Sequence, residues 1–282
     1  MKKILITGLN GFVGKHLNNS ISKFDFEIIS YSKNIDFSLS ESFLKLPKVD
    51  FIIHLAAKSF VPESFVNPQK IYANNINITL NVLEKARRDE AKVIFLSTYV
   101  YGEPIYLPID EMHPIMPQNP YTQSKLICEQ LFQAYYRDFS VSTTIFRPFN
   151  IYGPGQNFSF LIPTLFNQTK SSIIKLKDPR PRRDFIYVQD IVDAIILSIT
   201  NFSIGLNIFN LGSGISISIG ELASIIKEVT KSNAIIEYSN EIRKGEVLET
   251  IANCKKYNKQ SSWTPKITLK EGLSLYLSNS NE

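Results

Sequence analysis

Three observations predict a doubly wound parallel α/β sheet with a smaller C-terminal substrate-binding domain. The chain opens on a short apolar, β-branched run, Lys3-Ile4-Leu5-Ile6-Thr7, that passes straight into a glycine turn, Gly8-Leu9-Asn10-Gly11-Phe12-Val13-Gly14. Buried-strand patterns then alternate with helical patterns, the order that builds a parallel sheet covered on both faces. Near Phe149 this regular alternation loosens. The predicted division gives 1–148 with 185–212 to the dinucleotide-binding sheet and 149–184 with 213–282 to the second domain.

Taken in order, the first strand and its turn lead into a helix-like stretch over 15–23. Glycines at this junction let the backbone turn sharply and come close to a pyrophosphate, which then meets free N–H groups at the helix N-terminus. Thr7, Gly8, Asn10, Gly11, Phe12, Val13 and Gly14 are therefore the candidate phosphate cradle of a dinucleotide. The second strand is predicted over 26–31. In this fold an acidic residue at its end would hold the ribose hydroxyls of NAD. Here that place falls on Ser32, followed by Lys33, a hydroxyl and a cation that suit the 2′-phosphate of NADP; the other reading is a solvated loop lysine. Asp36 and Phe37 follow closely and are expected to border the adenine.

A buried strand over 49–55 ends in His54-Leu55-Ala56-Ala57-Lys58, where small residues leave room for a ligand at the sheet edge. His54, flanked by apolar residues, reads as a satisfied core histidine. A helix over 74–88 carries Ile76, Leu80, Val82 and Leu83 as its apolar stripe, which suits a core or a dimer face. The next strand, 92–96, runs into Ser97-Thr98-Tyr99-Val100-Tyr101-Gly102 and places hydroxyls at its carboxyl end. After a proline-rich loop comes Asn119-Pro120-Tyr121-Thr122-Gln123-Ser124-Lys125, a capped helix start that puts a phenol and an ammonium one turn apart on one face. An ammonium so placed is expected to lower the phenol pKa and make Tyr121 an acid or base. A strand over 141–146 follows, and the strand pattern is expected to end at Arg147. A further strand and helix are predicted from Arg182 to about Ser198, and an amphipathic helix over 220–231. Arg180, Arg182 and Arg183 form a cluster that suits a compact anion such as phosphate.

With 282 residues, 44% hydrophobic and 20% charged, the composition is that of a globular protein with a sizeable core. The net charge of +5 is spread with mixed sign, so no basic tail argues for nucleic acid. No apolar run of about 18 residues predicts a membrane span, and glycines break the N-terminal apolar run too early for a signal peptide. Two cysteines, Cys128 and Cys254, fit a reducing cytoplasm. No metal site is expected.

The combination Thr7-Gly8-x-x-Gly11-x-x-Gly14, His54-Leu55-Ala56-Ala57, Ser97 ahead of Val100-Tyr101-Gly102, Tyr121-x-x-x-Lys125, Arg147-Pro148-x-Asn150 and Arg183-Asp184-Phe185-Ile186 resembles the extended short-chain dehydrogenase/reductase family, in its nucleotide-sugar epimerase, dehydratase and reductase branch. Within that branch the sequence is most similar to reductases of nucleotide-linked 4-keto-6-deoxyhexoses. The resemblance covers essentially the whole chain. It implies a Rossmann sheet and the catalytic set Ser97, Tyr121 and Lys125. In that set Tyr121 exchanges a proton with the sugar O4, Lys125 binds the nicotinamide ribose, and Ser97 bonds the same oxygen as Tyr121. Thr98 takes the Ser97 role if the turn differs, and otherwise stands on the substrate side. The resemblance also places Leu55, Ala56, Ala57, Lys58, Asn75 and Pro148 along the cofactor. Asn150, Arg183 and Arg243 would hold the diphosphate of the sugar nucleotide, with Ser64, Tyr187 and Glu246 nearby.

Two departures shape the expected reaction. Dehydratases of this branch carry an Asp-Glu pair after the catalytic threonine, and here the places after Ser97 hold Thr98 and Tyr99. The acid expected of an NAD binder is absent at Ser32. The expectation is an NADPH-preferring reductase, with NAD(H) possible, acting in deoxysugar or surface-polysaccharide synthesis such as O-antigen, in the cytoplasm and as a homodimer. The alternative enzyme is a nucleotide-sugar 4-epimerase with tightly bound NAD, and a remoter one is a non-catalytic dinucleotide-binding regulator.

Overall fold

A computed structural model describes residues 1–29, 36–242 and 245–279. The first half of the chain alternates strictly in type around the longer helices. It comprises β1 (Lys2–Thr7), α1 (Phe12–Ile21), β2 (Phe26–Ile29), α2 (Glu41–Leu44), β3 (Phe51–His54), α3 (Val61–Val66), α4 (Pro68–Asp89), β4 (Lys92–Leu96), α5 (Pro120–Phe139) and β5 (Thr143–Pro148). The second half adds β6 (Asn150–Tyr152), α6 (Leu161–Gln168), β7 (Ile173–Leu176), β8 (Arg182–Tyr187), α7 (Val188–Thr200), β9 (Leu206–Leu211), β10 (Ser216–Ser218), α8 (Ile219–Val229), β11 (Ile235–Tyr238), α9 (Lys255–Ser261) and α10 (Leu269–Asn279).

Six parallel strands form the central sheet in the order β2-β1-β3-β4-β5-β9. Successive side chains of a strand point to opposite faces, and β1 shows the result. Ile4 and Ile6 join Leu17 and Ile21 of α1 and Ile191, Ile195 and Ile199 of α7 in one core layer. Leu5 joins Val82 and Leu83 of α4 and Phe132 of α5 in the other. Both layers are largely apolar, which is why the strands read as near-continuous hydrophobic runs.

The smaller part is a three-stranded sheet, β10-β8-β6, beside a two-stranded pair, β11-β7. Its own core gathers Tyr152, Phe166, Phe185, Leu222, Leu273 and Tyr276. Asp184 of β8 ties the loops here together, accepting backbone N–H bonds from Ser213 at 2.7 Å, Gly214 at 2.9 Å and Ala252 at 3.0 Å.

Three local expectations are corrected. Arg147 and Pro148 continue β5 rather than leaving it, pairing with Asn210 and Leu211 of β9. A division between 184 and 185 cuts β8, whose Phe185–Tyr187 half pairs with β6; the chain returns to the large sheet's core with Ile191, Val192 and Ile195 of α7. Tyr257 and Trp263 also leave the smaller part and pack in the α1/α7 layer, because that face of the sheet has apolar surface for them to cover.

Candidate active site

The carboxyl ends of β1, β3, β4 and β5 point to one edge of the sheet, where open α/β sheets hold their ligands. At β1 the turn requires its glycines. Gly8 adopts φ +79°, and Gly11 N donates to Gly8 O at 2.9 Å. A Cβ on Gly14 would lie 2.2 Å from Gly8 O and 2.6 Å from Leu9 O. Gly11 then caps α1 without a side-chain bond, and the first turn carries no acidic residue. Such a helix start offers N–H groups and the positive end of its dipole to an anion, so these residues fit a dinucleotide pyrophosphate. Gly14→Ala is expected to weaken NADPH binding about tenfold or more, since the turn must open to relieve the overlap. A fluorescence titration checks this, and an unchanged Kd would count against the cradle.

Asn119 and Thr122 form a reciprocal cap with Pro120 in the first turn, and this fixes where α5 begins. Tyr121 and Lys125 then face the end of β4. The Tyr121 hydroxyl faces the Thr98 side chain. Lys125 is buried, donates from Nζ to Leu96 O at 2.6 Å, and lies 4.1 Å from the Phe95 ring centroid. Ser97, predicted as the hydroxyl beside Tyr121, is buried and donates instead to Glu129 Oε1 at 2.5 Å. Both residues follow β4 and both hydroxyls face α5: Ser97 meets Glu129, two turns along the helix, and Thr98 meets Tyr121 at its start.

The electrostatics also differ from expectation. Burial holds the Tyr121 phenol up at about 12, Thr98 pulling it back and Cys128 adding to the rise. The same burial brings Lys125 down to about 8, against the raising influence of Cys128 and Glu129. Desolvation therefore sets the phenol, and Lys125 is not among the groups that shift it. His54 is the core histidine it was read to be. It bonds Thr7 Oγ1 at 2.8 Å and Thr79 Oγ1 at 3.0 Å, and burial followed by the Lys125 charge keeps it neutral far below its ordinary pKa.

Around this centre, Leu55, Ala56, Ala57 and Lys58 are partly exposed beyond β3. Asn75 of α4 fixes that segment, accepting from Lys58 N at 2.8 Å and donating to Lys58 O at 3.2 Å and Ser124 Oγ at 2.9 Å. Thr7 is corrected from a cofactor contact to a buried tie, since its hydroxyl also accepts from Ala56 N at 3.3 Å. Phe37 packs edge-on against Phe43, and Asp36 accepts from Ser38 N at 2.9 Å. Pro148 is buried at the end of β5. Asn10, Phe12 and Val13 stand at the glycine turn, Phe12 edge-on to His16. Ser32, Lys33 and Arg243 lie outside the described residues.

On the substrate side, Asn150 donates to Asp184 O at 2.9 Å. Arg183 donates to Val247 O at 2.7 Å and pairs with Glu246, which ties β8 to the 246–247 segment. Ser64 departs from expectation. It is wholly buried with its hydroxyl on Val61 O at 2.7 Å. Tyr187 is buried edge-on to Tyr152 at 5.5 Å, because it caps α7 over the small core. The sequence reading missed Glu129, one turn beyond Lys125. It forms a buried ion pair with Arg147 at 2.6 Å. The i, i+4, i+8 spacing of Tyr121, Lys125 and Glu129 was the available signal.

A glycine turn at a helix start, a Tyr–Thr pair and a buried lysine at the carboxyl edge of a doubly wound sheet define a dinucleotide-dependent enzyme of the short-chain dehydrogenase/reductase class. A family model described as the NAD dependent epimerase/dehydratase family matches residues 4–212. A putative UDP-glucose 4-epimerase of Methanocaldococcus jannaschii is 33% identical, over 96% of this chain and 95% of that protein. GDP-6-deoxy-D-mannose reductase of Pseudomonas aeruginosa is 30% identical, over 99% of this chain and 97% of that protein. The structure of RMD from Pseudomonas aeruginosa complexed with NADPH superposes with a TM-score of 0.92 at 28% identity, covering 100% of both chains. The chain belongs to the NAD-dependent epimerase/dehydratase family, the extended branch of that class, and is an NAD(P)-dependent enzyme.

Proposed function

We propose that this protein reduces the C4 ketone of a nucleotide-linked 4-keto-6-deoxyhexose, using NADPH in preference to NADH, in cytoplasmic deoxysugar or surface-polysaccharide synthesis. The observation that supports this reading is the placement of Tyr121, a neutral phenol beside Thr98 at the edge of the sheet where the glycine turn lies, so that it can give a proton to a ketone oxygen. The residues after Thr98 supply no second acid or base for elimination. Tyr99 packs on Tyr101 and Phe149 at 5.6 and 5.2 Å and donates to Gly102 O, and Val100 is buried.

Bound nicotinamide supplies the hydride for the ketone carbon. Tyr121 Oη donates the proton to the ketone oxygen as its charge develops. Thr98 holds the phenol in place, and Lys125 secures the segment through Leu96 O. Asn150 and Arg183 bind the diphosphate, Arg183 through its planar fork of donors. The protein acts as a homodimer joined through α4 and α5.

The test is incubation with NADPH and a panel of nucleotide 4-keto-6-deoxysugars. One NADPH consumed per sugar reduced supports the proposal. Tightly bound NAD with sugar interconversion and no net consumption would make the protein a 4-epimerase, the activity named for the Methanocaldococcus relative. A pH profile adds a second check. Because burial lowers the Lys125 ammonium to about 8, its charge is present below that pH and lost above it. kcat/KM, which reports the free enzyme, should therefore fall as pH rises through about 8; a flat profile well into the alkaline range would show that the charge is not needed.

A further inference from the structure

Tyr121, Lys125 and Glu129 lie on successive turns of α5 and face one segment, residues 96–101, at three points. Lys125 Nζ holds Leu96 O at 2.6 Å, Glu129 Oε1 accepts from the Ser97 hydroxyl at 2.5 Å, and the Tyr121 hydroxyl meets Thr98. Glu129 is itself fixed. Arg147 Nη2 donates to its Oε2 at 2.6 Å, and Nε lies 3.1 Å from both carboxylate oxygens. Arg147 Nη1 reaches on to the Tyr101 hydroxyl at 3.0 Å, and that hydroxyl donates to Asn210 Oδ1 at 2.6 Å. Both charged side chains are almost wholly buried. A pair buried this deeply gives no clear stability advantage over hydrophobic residues of the same volume. Its bonds to Ser97 and Tyr101, however, bracket Thr98 on either side.

We propose that Glu129 is a positioning residue for the reaction: clamped by Arg147, its carboxylate pins Ser97 so that the next residue, Thr98, meets the Tyr121 hydroxyl. This rests on the reading of Thr98, Tyr121 and Lys125 as the reacting set. The groups facing Lys125 are Cys128 and Glu129 from α5, with His54 from β3 and the Phe95 ring from β4. Glu129 is the carboxylate that favours the Lys125 charge.

The experiment compares Ser97→Ala, Glu129→Gln and the apolar pair Glu129→Leu with Arg147→Met against the parent protein. Each is measured for kcat, NADPH affinity and thermal unfolding, and Glu129→Gln also for its pH profile. Misplacing one reacting group costs roughly ten- to a hundredfold. Ser97→Ala, which leaves the ion pair intact, should therefore lose about tenfold in kcat while NADPH affinity is little changed. Glu129→Gln should be slow as well, with the upper limb of its profile moved below about 8. The apolar pair should fold and remain slow. Ser97→Ala at the parent's rate, with the apolar pair recovering rate along with stability, would overturn the proposal and leave a purely structural ion pair. If Glu129→Gln does not fold, those two variants decide alone. Tyr121→Phe run beside them separates the two readings. If it still turns over, the assignment of the site fails; if it is inactive while Ser97→Ala and the apolar pair run at full rate, only the positioning role fails.

Discussion

Tyr121→Phe should lower kcat by about 10²- to 10⁴-fold, the range that general acid catalysis contributes, with NADPH affinity essentially unchanged. The substitution removes one oxygen. Asn119 and Thr122 still cap α5, Ser124 still donates to the Tyr121 carbonyl at 2.7 Å, and Lys125 keeps its bond to Leu96 O. Only the proton for the ketone oxygen and the partner of Thr98 are lost. Cofactor binding by fluorescence and turnover by NADPH absorbance separate the two effects. Activity within a few-fold of the parent would mean that another group is the acid.

The largest effect on stability is expected from Arg147→Met. The methionine fills much of the volume but removes every guanidinium bond to the Glu129 carboxylate and the bond to Tyr101. In the parent, burial opposes the Arg147 charge, and the bonds to Glu129 overcome that opposition to hold it protonated. Removing one partner of a buried pair leaves the other charge uncompensated, at a cost of about 3–5 kcal/mol. For a chain of this size that is a fall in Tm on the order of 10 °C. Adding Glu129→Leu should restore much of the loss, since no charge is then stranded. Circular dichroism melts of the two variants check both statements, and a single variant melting with the parent would show the pair to be stabilising nothing.

Much of the fold could be read along the chain because its signals are local. The β1 run, the glycine turn and α1 are contiguous, and the steric demands of the Gly8 and Gly14 positions act between neighbours in sequence. The cap at Asn119 marks the start of α5 in the same way. Errors gathered where a property depends on what lies opposite. Ser97 and Thr98 are adjacent hydroxyls at a strand end, and nothing between them says which will meet Tyr121 and which Glu129. Ser64 looks like an available polar group in sequence, but its hydroxyl is taken up by the carbonyl of Val61. Arg147 reads as the end of a strand until β9 is seen to pair with it.

By itself the sequence determined the doubly wound sheet, the dinucleotide turn and the face shared by Tyr121 and Lys125, because strand alternation, glycine geometry and helical spacing act over a few residues. Only the tertiary structure decided that Thr98 rather than Ser97 meets the phenol, that burial rather than the neighbouring ammonium sets the Tyr121 pKa, and that Glu129 and Arg147 brace the segment between them. Each of those depends on desolvation and on partners from distant strands, which no local spacing encodes.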